Sequence, residues 1–283
     1  MPDFTDAHGI AIVYDVYPAV GMPRGVVQIV HGVGEHAGRY ARLAQALADA
    51  GFTVYADDHR GHGRTGMRQH GDDATKLGRL GAGGHRAAVA AVWQFTQLIR
   101  DEDPDLPLVL LGHSWGSLVS QILLNDHPDA YDAVVLSASG LRWPGWMNIG
   151  ELNAPWKQAD AMGTEWLSSD LGVGRDFLDD PLTTSVPLIK LFGLLDTARI
   201  IGRPRKDLGR DTPLLLMVGR DDSAGGPRSV HKLADAYRTR SGLTDVTTLV
   251  YPGARHEIFN EVVQEDVRAD LLAWLDARFA ARV

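Results

Sequence analysis

The chain contains no cysteine, which excludes disulfides, thiolate zinc sites and cysteine nucleophiles. Positive charge is scarce: 28 Lys and Arg stand against 36 Asp and Glu, a net charge of −8 at pH 7. Nucleic-acid affinity comes largely from cations neutralising phosphates, so no nucleic-acid partner is expected. No segment approaches the ~18 consecutive apolar residues of a membrane span. The stretch from Met1 to Asp6 is acidic and lacks a basic segment leading into an apolar core, so no secretory signal is read there. A cytoplasmic protein is the expectation. Repeats and low-complexity tracts are missing too. What remains is ordinary globular composition, 45% hydrophobic and 23% charged over 283 residues, long enough to bury a sizeable core.

Short apolar runs alternate with longer helical patterns, which predicts a mostly parallel sheet covered by helices. Gly25 to His31 reads as a buried strand closed by Gly32-Val33-Gly34. Arg39 to Ala50 reads as a helix with Tyr40, Leu43 and Leu47 on one face and Gly51 as its stop. Further strands are read at Phe52 to Ala56, Leu108 to Leu111 and Ala133 to Leu136, with helices at His85 to Arg100 and Trp115 to Asn125. Asp57 to Gly66 reads as a polar, glycine-rich loop. The rhythm then breaks between Leu141 and Arg205. Prolines recur there at 144, 155, 181, 187 and 204, beside Trp143, Trp146, Trp156 and Trp166. It resumes with a strand at Pro213 to Val218, a helix at Arg228 to Thr239, a strand at Val246 to Val250 and a terminal helix at Glu261 to Arg282. The expected organisation is one α/β core, residues 1–140 and 206–283, interrupted by a helical cap at 141–205.

Gly112-His113-Ser114-Trp115-Gly116 is a G-x-S-x-G between an apolar strand and a helix. A serine on that sharp turn has its hydroxyl pushed out above the sheet. The flanking glycines are needed because side chains there would collide in so tight a crossing. A serine hydroxyl is a poor nucleophile at neutral pH and needs a base held by an acid. Asp221 and Asp222 follow one later strand and His256 follows the last, both at the edge where sites form on such sheets. His231 lies mid-helix and is the weaker base. An oxyanion needs two backbone N–H donors. The residue after the nucleophile, Trp115, supplies one. Val33 is read as the other, in a loop whose glycines, Gly32 among them, let the backbone approach a substrate.

With these residues in view the sequence resembles the α/β-hydrolases, and within them the monoglyceride lipase and lysophospholipase group, similar to the serine aminopeptidase S33 proteins. The matching stretches are His31 to His36 with Arg39-Tyr40, Asp58 to Gly63, Gly112 to Ser114, Asp180 to Leu182, Gly219 to Asp222, and His256. The resemblance implies the α/β-hydrolase fold, and a Gly-x-x-Asp pattern that selects Asp222 over Asp221. It also implies a Ser114–His256–Asp222 triad acting on monoacylglycerols or similar single-chain esters without cofactor or metal. One departure stands beside the nucleophile, where this chain carries a bulky Trp115. As a cluster in the segment covering the family's active site, the tryptophans suggest an apolar lid, with Trp143 and Trp146 read as substrate-binding and the cap in passing contact with a lipid surface.

Other readings are weaker. His31, Glu35 and His36 lack H-E-x-x-H spacing, and His59, Arg60 and His62 more simply brace a loop than bind metal. No phosphate-binding glycine motif follows the first strand. The cap acids Glu151, Asp160, Glu165 and Asp170 read as a solvated face. Two rivals to ester hydrolysis are an aminopeptidase-type amide hydrolase, which needs a cap carboxylate for the substrate's amine, and a non-catalytic binding protein on the same fold.

Overall fold

The computed structural model describes residues 1–279. Four runs, Gly25–Val30 (β3), Leu108–His113 (β5), Ala133–Ser137 (β6) and Leu214–Gly219 (β7), are buried at every position. Such near-continuous apolar runs are what strands covered on both faces require. Their side chains divide by alternation. Val26, Val30, Leu108, Leu110, Val134 and Leu136 join one core with helices Gly84–Glu102 (α3), Trp115–Asp126 (α4) and Gly226–Ala236 (α7). Val27, Ile29, Val109, Leu111 and Val135 join the opposite core with Ala41–Asp49 (α1) and Gln264–Asp276 (α8).

The eight strands run in the order β1-β2-β4-β3-β5-β6-β7-β8, with Asp3–Thr5 as β1, Ala11–Tyr17 as β2, Phe52–Asp57 as β4 and Val246–Tyr251 as β8. β2 pairs antiparallel with β1 and β4, and every other pairing is parallel. The chain leaves β3 toward β4 on one side and reaches β5 on the other. Crevices open where strand order reverses in this way, and both the Gly32–Gly34 loop and Ser114 sit at that point.

The structure departs from the sequence reading in several places. The β1–β2 hairpin was not anticipated. The expected loop to Gly66 ends early, because Gly63–Gln69 forms a helix (α2). Asp58 accepts the Arg64 amide at its first turn, and Thr65 Oγ accepts the Val13 amide. The last helix begins at Gln264, not Glu261, whose carboxylate is engaged by the Arg255 and Ser169 amides. The expected extension of that helix to Arg282 reaches into residues 280–283, which lie outside the described residues. Within 141–205 there are two α-helices, Leu171–Asp179 (α5) and Leu188–Arg199 (α6), a short 3-10 turn at Ala154–Trp156, and no strand among the described residues. α6 is broken at Gly193, where φ is 73°. Among the described residues no helix is long and apolar enough to cross a membrane.

Candidate active site

Ser114 joins β5 to α4 with φ 51° and ψ −122°, a backbone conformation an L residue occupies only when its surroundings impose it. The surroundings are specific. A Cβ on Gly112 would collide with Ser120 Oγ and the Gly116 carbonyl, and one on Gly116 with the carbonyl oxygens of Val30 and His31. Both glycines let α4 start hard against β3 and lift the serine above the sheet edge.

His256, in the turn after β8, places Nε2 2.8 Å from Ser114 Oγ. Its Nδ1 is 2.9 Å from Asp222 Oδ1, in the turn after β7. Asp222 is buried, and its Oδ1 also accepts the Ala224 amide at 2.8 Å. Asp221 is exposed and is tied in through its backbone, whose N–H donates to the Ala254 carbonyl. Burial opposes protonation of His256, but the charge and hydrogen bond of Asp222, with Glu257 and Glu35 further off, outweigh it and hold its pKa above the usual histidine value. The arrangement is a hydroxyl, a base and a carboxylate in series, able to take a proton from Ser114 and carry the resulting charge.

Gly32 lies against the serine: a Cβ there would stand 3.1 Å from Ser114 Cβ and 2.6 Å from Glu35 Oε1. Among the described residues neither the Val33 nor the Trp115 amide has a hydrogen-bond acceptor. Two free N–H groups therefore flank the serine on adjoining segments. Glu35 Oε1 accepts the Gly32 amide at 2.6 Å and the Tyr40 hydroxyl at 2.7 Å, while Arg39 bridges Glu35 and Glu257. This buried network ties the His31–Tyr40 stretch together around Gly32.

The Trp115 indole is buried. It is stacked near His62 at 5.3 Å and edged by Phe192 of α6 at 5.1 Å and His85 at 6.0 Å, with Nε1 unpartnered. Burial lowers the pKa of both His62 and His85 to about 4, so neither carries charge at neutral pH.

Trp143 and Trp146 point elsewhere than expected. Trp143 stacks under Arg203 at 3.6 Å and Trp146 under Arg228 at 4.7 Å. Together with Leu141, Lys232 and Arg240 they line a surface cavity of about 390 Å³ against α7, which does not include the triad residues. The tryptophan set against the triad is Trp166, its ring 4.7 Å from that of His256. Its only sequence signal was membership of the tryptophan cluster. Glu165 is another correction. It is buried, accepting from Asn153 and from the Met162 and Gly163 amides, which hold its pKa low despite burial. Segment 165–169 is stitched to the histidine turn, with the Glu257 amide on the Leu167 carbonyl and Arg255 on the carbonyls of Glu165 and Ser168. Further along, beyond α5, Asp180 and Thr184 bind His36 and the Gly34 carbonyl. His31, His59 and His62 brace the loop by hydrogen bonds, and among the described residues no group of three or more His, Asp or Glu is placed to hold a metal ion.

Comparison with known proteins adds three findings. The profile of a hydrolase family described as serine aminopeptidase, S33 matches residues 21–263. A monoacylglycerol lipase of Mycolicibacterium smegmatis is 32% identical, over 96% of this chain and 95% of its own, and a monoglyceride lipase of Mus musculus is 27% identical over 99% and 92%. The crystal structure of a thermostable carboxyl esterase from Bacillus coagulans superposes with a TM-score of 0.85 at 23% identity, covering 99% of this chain and 98% of the esterase, a likeness of fold.

Proposed function

We propose a function for a chain that belongs to the serine aminopeptidase S33 family of hydrolases: it cleaves carboxylic esters, monoacylglycerols foremost, through an acyl-enzyme on Ser114. The observation that carries this reading is the unbroken series Ser114 Oγ, His256 and Asp222 at 2.8 and 2.9 Å, on a strained elbow flanked by two free amides. His256 Nε2 takes the hydroxyl proton as Ser114 Oγ attacks the ester carbonyl. The Val33 and Trp115 amides hold the oxyanion, and Asp222 stabilises the imidazolium. His256 then protonates the departing alcohol, and a water activated by the same ring frees the acid. No step calls for a cofactor or a metal. The small hydrophobic ester passes Gly32 on its way to the serine, and residues 141–205 act as a cap over it.

The proposal includes a cytoplasmic enzyme that meets its substrate at a lipid surface through the cap, where Leu194 and Leu195 of α6 are 77% and 79% exposed. The amide-cleaving alternative has less support. It asks for a cap carboxylate to receive an amine, and the buried cap acid Glu165 is already occupied by three donors. A hydrolysis panel decides the matter: p-nitrophenyl esters from acetate to palmitate, monoacylglycerols and amino-acid anilides. Monoacylglycerol turnover with inert anilides is the expected result, and preferred anilide cleavage would overturn it.

Two further outcomes are expected. Only neutral His256 can accept a proton, and its pKa is raised, so activity is absent at low pH and appears later than for an ordinary histidine. kcat/KM should therefore rise through a midpoint above ~6.5. A profile flat from pH 5 to 9 would contradict a histidine base. Second, Trp166→Ala should lower kcat/KM by about tenfold or more, because the ring that confines His256 is lost and small misplacement of a base is costly. Trp143→Ala and Trp146→Ala should stay near wild type in the same steady-state assay. The reverse ranking would return the substrate to the α7 groove.

A further inference from the structure

The Gly32–Val33 peptide is held by a chain of buried groups that takes no direct part in the proton transfers. A backbone carbonyl can only accept, so His31 Nδ1, 2.7 Å from the Gly32 oxygen, must carry the ring proton. A backbone N–H can only donate, so His31 Nε2, 3.0 Å from the His59 amide, must be the bare acceptor. The two partners together fix one neutral tautomer. His31 is fully buried and stacked on His59 at 3.8 Å, and burial among neighbouring histidines holds its pKa well below the usual value. His59 is fixed in turn by Asp57 Oδ2 at 2.7 Å.

We propose that His31 is a positioning residue for the oxyanion hole: by holding the Gly32 carbonyl it turns the Val33 N–H toward the reacting carbonyl. The reason is covalent. In a planar trans peptide the C=O and the following N–H point in opposite directions, so fixing the Gly32 oxygen fixes the Val33 hydrogen. Glu35 holds the other side of Gly32 by accepting its N–H. Without the His31 bond, glycine's freedom at position 32 lets this peptide rotate and aim an oxygen where the oxyanion needs a donor. This inference rests on the ester-hydrolase reading and on Val33 as a donor.

Two variants separate positioning from packing. His31→Gln removes the Nδ1–H while its side-chain oxygen keeps an acceptor near the His59 amide; His31→Asn keeps an N–H donor near the Nδ1 position. His31→Gln should lower kcat by about 10²–10³-fold, the usual cost of one oxyanion donor, with KM nearly unchanged. The pH midpoint should stay at the wild-type value, because Asp222 and His256 are untouched. His31→Asn should recover most of the loss. Equal losses in both variants, or a loss carried by KM, would assign His31 to packing and overturn the proposal. Long-range 1H–15N spectra of the wild-type imidazoles give a readout that needs no variant. They should place the His31 proton on Nδ1 across about pH 5 to 8, and a ring protonated at Nε2 or charged in that range would overturn the assignment. Failure of Ser114 to react would instead remove the hydrolase reading, which the His31 tautomer does not report on.

Discussion

Ser114→Ala should abolish ester turnover, lowering kcat by about 10⁶-fold, because removing the nucleophile of such a unit costs nearly as much as removing all of it. The loss is confined to chemistry. Ser114 Oγ makes its hydrogen bond to His256 Nε2, while the elbow is held by glycine packing and by backbone bonds such as the Ser114 amide on the Ser137 carbonyl. A methyl group in place of the hydroxymethyl leaves those contacts alone, so the melting temperature should stay close to wild type. Substrate binding should persist as well, since the free amides of Val33 and Trp115 are backbone groups. Substantial residual turnover in a correctly folded variant would mean that another nucleophile or a bound water does the work.

Asp222→Ala comes next, at about 10⁴-fold in kcat. It deletes the acceptor for His256 Nδ1 and the charge that outweighs burial in keeping that ring basic. Asp222→Asn should cost less than Asp222→Ala, for a reason particular to this site. Oδ1 also accepts the Ala224 amide, so an asparagine here is held with its oxygen, not its nitrogen, toward the histidine. The tautomer survives and only the charge is lost. Both Asp222 variants should move the kcat/KM midpoint to lower pH, since the influence that raises the His256 pKa has been weakened. Asp221→Ala should be nearly silent, its side chain being exposed and its structural bond made by its backbone. Matched kinetics that rank Asp221 above Asp222 would reject the assignment.

Much of the sheet could be read from the sequence, because β3, β5, β6 and β7 are buried on both faces and so read as short, near-continuous apolar runs. The elbow was equally legible, since two glycines and a serine between such a strand and a helix leave few alternatives. The β1–β2 hairpin was hidden by its shortness and by half-exposed positions. α2 was hidden by Gly63 and Gly66, poor helix formers kept in place by close packing on Asp58 and Gly61. Residues 141–205 were the least legible part. Tryptophans signal an apolar surface but not its direction: Trp143 and Trp146 turn to arginines and α7, whereas Trp166 faces His256. Glu165 reads as a surface acid because its three donors, from Asn153, Met162 and Gly163, are brought to it only by the local fold. The His31 brace was invisible for a similar reason. The loop reading anticipated bracing hydrogen bonds from His59 and His62 with Arg60, but gave His31 no part in them.

The most direct test is to treat the wild-type enzyme with a fluorophosphonate, follow monoacylglycerol hydrolysis as labelling proceeds, and map the adduct by peptide mass spectrometry. A single adduct on Ser114, with activity falling in proportion to the labelled fraction, is the result predicted. No adduct, an adduct on another residue, or hydrolysis that survives complete labelling of Ser114 would contradict an acyl-enzyme mechanism at this serine.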